Sequence, residues 1–328
     1  MYKNLVLESG SVKGLATVGA LYYLQLNNKI KDIQNFAGTS IGGIICTLLV
    51  IGYTPIDLYQ EFYDTDFDSL LRDPFYEIPN NLFKKFGLYK ADRFILFLET
   101  LFIKKNFSKN TTFEDLFNKT KKLLVLTTTS LSTRDTLYFN AFTTPTFKVL
   151  EAVRLTMSIP GIFTANTCKV NNIEHTCVDG AVLMGFPYYY FETEENFTLE
   201  TFSEIKKLKV ENISGITSEI PIFKNYKNET LGVKFLDAGY SLNSGYYSGY
   251  NKITDFKSFM LNFIDTLTTK IAKDNLKTID DALLKNIITI DIPAGISSTN
   301  FKMTKDEKAN LFDIGYKSSE KFCLKNLI

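Results

Sequence analysis

Ser40 stands between two glycines in Gly38-Thr39-Ser40-Ile41-Gly42, a G-x-S-x-G pattern. The chemistry this spacing suits is nucleophilic attack on an ester carbonyl. A serine on a tight strand-to-helix turn is held in a strained backbone conformation, and side chains two residues away on either side would collide. Glycine at both places removes them. The hydroxyl is then raised above a sheet at the positive end of the next helix, where developing negative charge is favoured. A capped, glycine-rich turn without catalytic use can be spelled the same way. The flanks favour the nucleophile. Ile33, Phe36 and Ala37 predict a short buried strand before it, and Ile44 to Ile51 predict a buried helix after it, closed by Gly52.

A nucleophilic serine needs a base. The chain has one histidine, His175, so any Ser-His-Asp triad must use it, and a two-histidine metal site within the chain is excluded. Asp179 is the other candidate, in Asp179-Gly180-Ala181. If residues 175 to 179 are extended, the two side chains lie roughly 13 Å apart, so His175 would need a different acid. A solitary histidine here reads as a surface or hairpin residue. Asp179 reads either as the base or as an ordinary Asp-Gly turn residue. An aspartate of ordinary pKa, about 3.9, is a feeble base. It must be partly desolvated and bonded directly to the hydroxyl it serves.

The transition state also needs donors for an oxyanion. Lys3 to Leu7 predicts a first buried strand, and Leu15 to Asn28 a helix. Between them lies Glu8-Ser9-Gly10-Ser11-Val12-Lys13-Gly14, a small-residue loop that offers free backbone N–H groups. A phosphate-binding P-loop requires Ser or Thr after its lysine, whereas Gly14 follows Lys13. A dinucleotide fingerprint requires glycines where Ser9 and Ser11 stand. Lys13 reads equally as a charge near the loop or as a solvated side chain. Ala16, Gly19 and Ala20 give the following helix a small-residue face suited to lying close on a sheet.

Around these groups the 328 residues are of ordinary globular balance, 45% hydrophobic and 22% charged. Net charge is +1, so nothing suggests nucleic acid. The longest apolar run, Ile41 to Tyr53, is too short to span a bilayer. Neither signal peptide nor transmembrane segment is recognised. The four cysteines form no C-x-x-C pair and read as reduced, which predicts a cytoplasmic location. Further along, Pro55 starts a short helix, residues 64 to 90 read as irregular, and Asp92 caps an apolar helix over Arg93 to Ile103 expected to be buried. Another helix starts at Thr111–Asp115. Lys121–Thr128 and Leu137–Phe142 predict a hairpin, Val149–Met157 a helix, and Cys168–Val178 a hairpin turning at Asn171-Asn172. The stretch 191–228 is polar and lysine-rich. An amphipathic helix is expected over Phe256–Asn275, a strand over Asn286–Ile292 and a closing helix over Asp306–Asn326. No internal repeat or linker separates domains.

In this order the motifs resemble those of the patatin-like phospholipases, serine lipid acyl hydrolases that use a Ser–Asp dyad. Glu8 to Gly14 resembles the family's E-G-G-G-x-K-G oxyanion loop, and Gly38 to Gly42 its nucleophile elbow. The segment Arg154 to Phe163 is similar to its S-x-S-I-P-x-x-F segment, with Thr156 where Ser or Ala is usual. Asp179-Gly180-Ala181, followed by Phe186-Pro187, resembles its D-G-[GA] motif. The resemblance implies a three-layer α/β/α sandwich with a mostly parallel central sheet. Residues 3–190 are expected to form the catalytic core and 191–328 the C-terminal part of the same domain. It implies Ser40 as nucleophile, Asp179 as base, and oxyanion donors from Gly10, Ser11 and Val12. It also implies a phospholipid or other acyl-lipid substrate, peripheral membrane contact and no cofactor. Ser9 and Ser11 depart from the pattern by replacing two loop glycines. They leave open a patatin-fold lipid-binding or interaction protein with little or no turnover.

Overall fold

The computed structural model describes residues 2–192, 229–237, parts of 253–293, and 300–326. The first strand, β1 (Asn4–Leu7), is buried at every position. Successive side chains of a strand point to opposite faces, so both faces of the sheet are covered there. The same holds for β2 (Asn35–Thr39) and β4 (Leu123–Ser130). Their near-continuous Leu, Val, Ala and Thr runs are what a strand buried on both sides requires.

These strands lie in an eight-stranded sheet of order β10-β9-β1-β2-β4-β8-β7, with β5 (Asp135–Phe139) also paired to β4. β7 is Asn166–Val170, β8 is Ile173–Asp179, β9 is Thr230–Asp237 and β10 is Ile287–Ile292. From β10 to β4 every pairing is parallel; β5, β8 and β7 are antiparallel additions at the other edge. Helices flank this sheet, so the fold is the α/β sandwich with a mostly parallel centre that the motifs implied. A separate two-stranded ribbon pairs β3 (Gly87–Tyr89) with β6 (Gly161–Phe163).

The helix after the first loop, α1 (Gly14–Leu26), is buried nearly all round. Its small-residue face does not lie on the sheet. It meets the C-terminal helix, α9 (Lys305–Asn326). A Cβ on Gly19 would fall 1.9 Å from the Phe312 carbonyl oxygen, and one on Gly315 would fall 1.7 Å from the Ala16 carbonyl oxygen. Small residues on both helices let their backbones touch, a contact with no signature in either helix alone.

Residues 64 to 90 are more regular than their prolines suggested. After α2 (Ile41–Val50) and α3 (Pro55–Asp64) come α4 (Phe67–Leu71), α5 (Ile78–Lys85) and β3. The Asp66 carboxylate accepts from the Ser69 N–H and caps α4. Pro79 lies in the first turn of α5, where its missing N–H costs nothing.

In α6 (Asp92–Lys104), Asp92 is the first helical residue rather than the cap, and its carboxylate binds Arg154 at 2.6 Å. This helix buries Phe94, Leu98, Leu101 and Phe102 and leaves Leu96 and Ile103 exposed, so burial holds for one face. α7 (Phe113–Thr120) carries a capping box between Thr112 and Asp115. α8 (Val149–Thr156) leads to β6. The β7–β8 turn places Asn171 and Asn172 at φ 51° and 64°, the left-handed pair a tight hairpin needs. The polar stretch expected over 191–228 lies, from residue 193 on, outside the described residues. Every described position between 258 and 271 is helical, and the remainder of the helix expected over 256–275 lies outside the described residues. The four cysteines are free thiols.

Candidate active site

Strand β2 ends at Thr39, and the chain turns at Ser40 into α2. Ser40 takes φ 54° and ψ −126°, a conformation that costs a serine on the order of 1–3 kcal/mol. The two glycines explain why the turn still forms. A Cβ on Gly38 would lie 2.5 Å from the carbonyl carbon of Gly42, and one on Gly42 would lie 2.4 Å from the Leu7 carbonyl oxygen. Both obstacles are backbone atoms, which cannot yield cheaply. The Gly42 contact also clamps the elbow onto the end of β1, where the loop begins.

The serine is held from two further directions. Its own N–H donates to Thr156 Oγ1 at 2.9 Å. Thr156 is fully buried at the end of α8, 116 residues away in sequence. In the sequence Thr156 differs from the Ser or Ala usual in the family's segment, and its hydroxyl is the only local sign of this role. The Ser40 Oγ donates to Asp179 Oδ2 at 2.7 Å.

Asp179 ends β8, and its N–H donates to the Ser158 carbonyl at 2.8 Å. Its second carboxylate oxygen, Oδ1, accepts from the Ala181 N–H at 2.8 Å. Gly180 lets the chain turn closely past β4, since a Cβ there would lie 2.5 Å from the Thr127 carbonyl oxygen. Burial pushes the Asp179 pKa up to about 7, against the opposing pull of its bonds from Ser40 and Ala181. The desolvation that a carboxylate base requires is therefore present. It leaves the group near half ionised at neutral pH.

His175 is placed elsewhere. It lies in the β7–β8 hairpin paired with Cys168, as one of its two readings had it, but is buried there, and its Nδ1 lies 2.9 Å from Ser130 Oγ. Among the described residues no carboxylate bonds to its ring.

The loop from Glu8 to Gly14 is tied at several points. Glu8 is buried and accepts from the Phe235 N–H at 2.6 Å, with Lys234 Nζ 3.4 Å away. The Ser9 N–H donates to the Gly185 carbonyl at 2.9 Å, which fixes Ser9 against the turn after Asp179. Gly10 is extended at φ 169°, and a Cβ on it would lie 2.4 Å from the Phe235 ring. The left-handed position falls on Ser11, at φ 52°. Thus one of the two loop serines is strained and the other is not. The N–H groups of Gly10, Ser11 and Val12 have no acceptor among the described residues, as expected for donors ahead of a helix. Lys13 is buried, its ammonium 6.0 Å from the centre of the Phe235 ring. Gly14 sits against Ile41, with 2.3 Å between its hypothetical Cβ and Ile41 Cγ1, so the loop and the elbow are packed together.

A narrow cleft of about 60 Å³ opens at Ser40. Ser11 and Val12 line it near the hydroxyl. Its remaining walls are apolar, from Ile44, Phe67, Leu71, Phe94, Ile159 and Phe163 among others. The described residues contain no cluster of His, Cys, Asp and Glu suited to a metal ion.

A mostly parallel α/β sheet with a strained elbow serine bonded to a buried aspartate, beside a loop of unused N–H groups, defines a serine–aspartate α/β protein. The chain belongs to the patatin-like phospholipase family, whose model matches residues 5–191. It is 31% identical over 229 residues to a probable lipid hydrolase of Invertebrate iridescent virus 6, covering 69% of this chain and 72% of that one. It is 27% identical over 328 residues to an uncharacterized protein of Acanthamoeba polyphaga mimivirus, covering 98% of this chain and 94% of that one. Among solved structures, VipD from Legionella pneumophila is similar at a TM-score of 0.49 and 15% identity, with 98% of this chain covering 66% of VipD. The type III effector ExoU of Pseudomonas aeruginosa is similar at a TM-score of 0.47 and 17% identity, with 99% of this chain covering 53% of ExoU.

Proposed function

We propose that the protein hydrolyses acyl esters of lipids in the manner of a phospholipase A, with Ser40 as nucleophile and Asp179 as its base. The observation that carries this reading is the 2.7 Å bond from Ser40 Oγ to Asp179 Oδ2 at the mouth of an apolar cleft. As Oγ attacks the ester carbonyl, its proton passes to Oδ2. The Ala181 N–H holds Oδ1 and keeps the carboxylate in line. The carbonyl oxygen becomes an oxyanion facing the N–H groups of Gly10, Ser11 and Val12; one such donor typically contributes about 3–4 kcal/mol. Collapse of the tetrahedral intermediate expels the alcohol, which takes the proton from Asp179. A water then attacks the acyl-enzyme, losing its proton to the same carboxylate; collapse breaks the ester bond to Ser40, whose Oγ takes that proton back as the fatty acid leaves. The apolar cleft suits the acyl chain.

The test compares the products formed from a phospholipid mixture by the protein and by Ser40→Ala. Fatty acid and lysolipid are expected from the first only, and a fluorophosphonate ester probe is expected to label the first only. Undiminished hydrolysis by Ser40→Ala would overturn the reading. Lipid binding without turnover in the unmodified protein would leave a patatin-fold lipid-binding protein.

A further inference from the structure

The segment that joins α4 to β3 carries an unusual amount of exposed aromatic surface. Phe75 is 86% exposed, Tyr76 and Phe83 79%, and Phe86 66%. Burying rings of this size is worth several kcal/mol together, so leaving four of them in water within twelve residues calls for a partner. The segment is not loose. Asp73 Oδ2 accepts from the Asn81 side chain at 2.9 Å and from the Lys90 N–H at 2.6 Å, and Lys90 pairs with Glu77. The Asn81 amide also donates to the Leu88 carbonyl at 3.3 Å, so the backbone is pinned while the four rings stay in solvent.

Both ends of this segment are walls of the cleft. Phe67 and Leu71 of α4 line it on one side. On the other, β3 pairs with β6, whose Phe163 lines it, and the Ala165 N–H donates to the Lys85 carbonyl. A second exposed pair lies next to the same ribbon. Met260 packs over Gly161, and beside Met260 the half-exposed rings of Phe259 and Phe263 stack 6.2 Å apart. Lys84 and Lys85 are exposed among the aromatics and have no ion pair among the described residues.

We infer that this aromatic and lysine face, centred on Phe75, Tyr76, Phe83 and Phe86, docks on the surface of a phospholipid bilayer and sets the cleft over it. Aromatic rings settle at the level of the headgroups, and exposed lysines beside them attract anionic phosphates. A lipid whose chain must slide into a cleft beside Ser40 has the shortest path if the rim of that cleft rests on the bilayer. The inference rests on the lipid hydrolase reading for the meaning of the cleft, yet its test does not need turnover.

The chain has no tryptophan, so Phe83→Trp introduces a single reporter. With vesicles of phosphatidylcholine and phosphatidylglycerol, its emission is expected to shift to the blue and to be quenched by brominated lipid. Emission unchanged by vesicles would overturn the inference. In sedimentation with the same vesicles, the fourfold variant Phe75→Ser, Tyr76→Ser, Phe83→Ser, Phe86→Ser is expected to bind about tenfold or more weakly. Lys84→Glu with Lys85→Glu is expected to lose the preference for anionic vesicles. Hydrolysis of the soluble ester p-nitrophenyl butyrate is expected to stay within about twofold in both. Loss of vesicle binding in the fourfold variant supports docking even if no ester is cleaved, in which case only the hydrolase reading falls. Vesicle binding equal to that of the unmodified protein would assign the face to another partner and sink the inference.

Discussion

The hydroxyl of Ser40 lies 2.7 Å from the carboxylate of Asp179, across 139 residues of sequence. Strand β4 makes this contact. Thr39 is in register with Thr127 on one side of β4, and Asp179 with Thr128 on the other. The two backbones are thus about two strand spacings apart, roughly 10 Å, and their side chains reach towards each other over the strand between. Thr39 Oγ1 lies 2.5 Å from Thr127 Oγ1 and donates to the Met184 carbonyl, so the gap is fixed from both sides.

The proton affinity of Asp179 sets a pH profile. In the proposed role of base it must be ionised, and its pKa of about 7 means that the ionised fraction grows from pH 5 to 8. kcat/KM on a soluble ester is expected to rise about tenfold per pH unit below 7 and to level off above it. Asp179→Asn is expected to lower kcat by about 10²–10⁴-fold. A flat profile between pH 5 and 8 would count against Asp179 as the base.

The same group bears on stability with a definite sign. Its folded pKa, about 7, lies above the unfolded value of about 3.9. The folded state therefore holds the proton more tightly, and this favourable contribution, full below pH 4, is lost as pH rises through 7. Asp179→Asn is expected to gain thermal stability relative to the unmodified protein at pH 8 and to gain less at pH 4.5. Melting curves at the two values check it.

Thr156 holds Ser40, the proposed nucleophile, through its N–H. Thr156→Val leaves that buried donor without an acceptor and is expected to cost about 1–3 kcal/mol of stability. Because the elbow loses a tether, kcat is expected to fall while the pH profile keeps its midpoint near 7. Thr156→Ser restores the hydroxyl and is expected to recover both.

Ser11 occupies the left-handed region at φ 52°. Ser11→Gly relieves about 1–2 kcal/mol of strain. It also adds unfolded-state entropy worth about 0.5–1 kcal/mol. Stability is expected to change by less than about 1 kcal/mol, and hydrolysis to hold or increase. If Ser11→Gly abolished hydrolysis in a folded protein, the serine hydroxyl would be the donor in place of a backbone N–H.

His175 belongs to the core, not to the proposed chemistry. His175→Ala breaks the bond to Ser130 and opens a cavity, so a stability loss of about 1–3 kcal/mol is expected. Ester hydrolysis at a temperature where the variant is folded is expected to remain within about threefold. A thousandfold loss there would restore the triad.

Much of the fold is written locally. The strand, Gly38, Ser40, Gly42 and the apolar helix after them are adjacent in sequence, and crowding of that turn is a matter of residues two apart. The same is true of the Asn171-Asn172 turn and of the caps at Thr54 and Thr112, whose partners Asp57 and Asp115 lie three residues on. What decides these features is steric and hydrogen-bonding reach within one turn of chain, and residue type records it directly.

Other features exist only once the sheet has its strand order. Ser40 meets Asp179 because β2 and β8 flank β4, and no spacing in the sequence states that order. Thr156 supports Ser40 because α8 ends beside the elbow. The small face of α1 could have met a sheet or a helix, and α9 settles it with a glycine of its own at Gly315. The pKa of Asp179 and the burial of His175 depend on how much water the assembled layers exclude. These are properties of distance and dielectric between segments far apart in the chain, so they arise with tertiary packing and have no local trace.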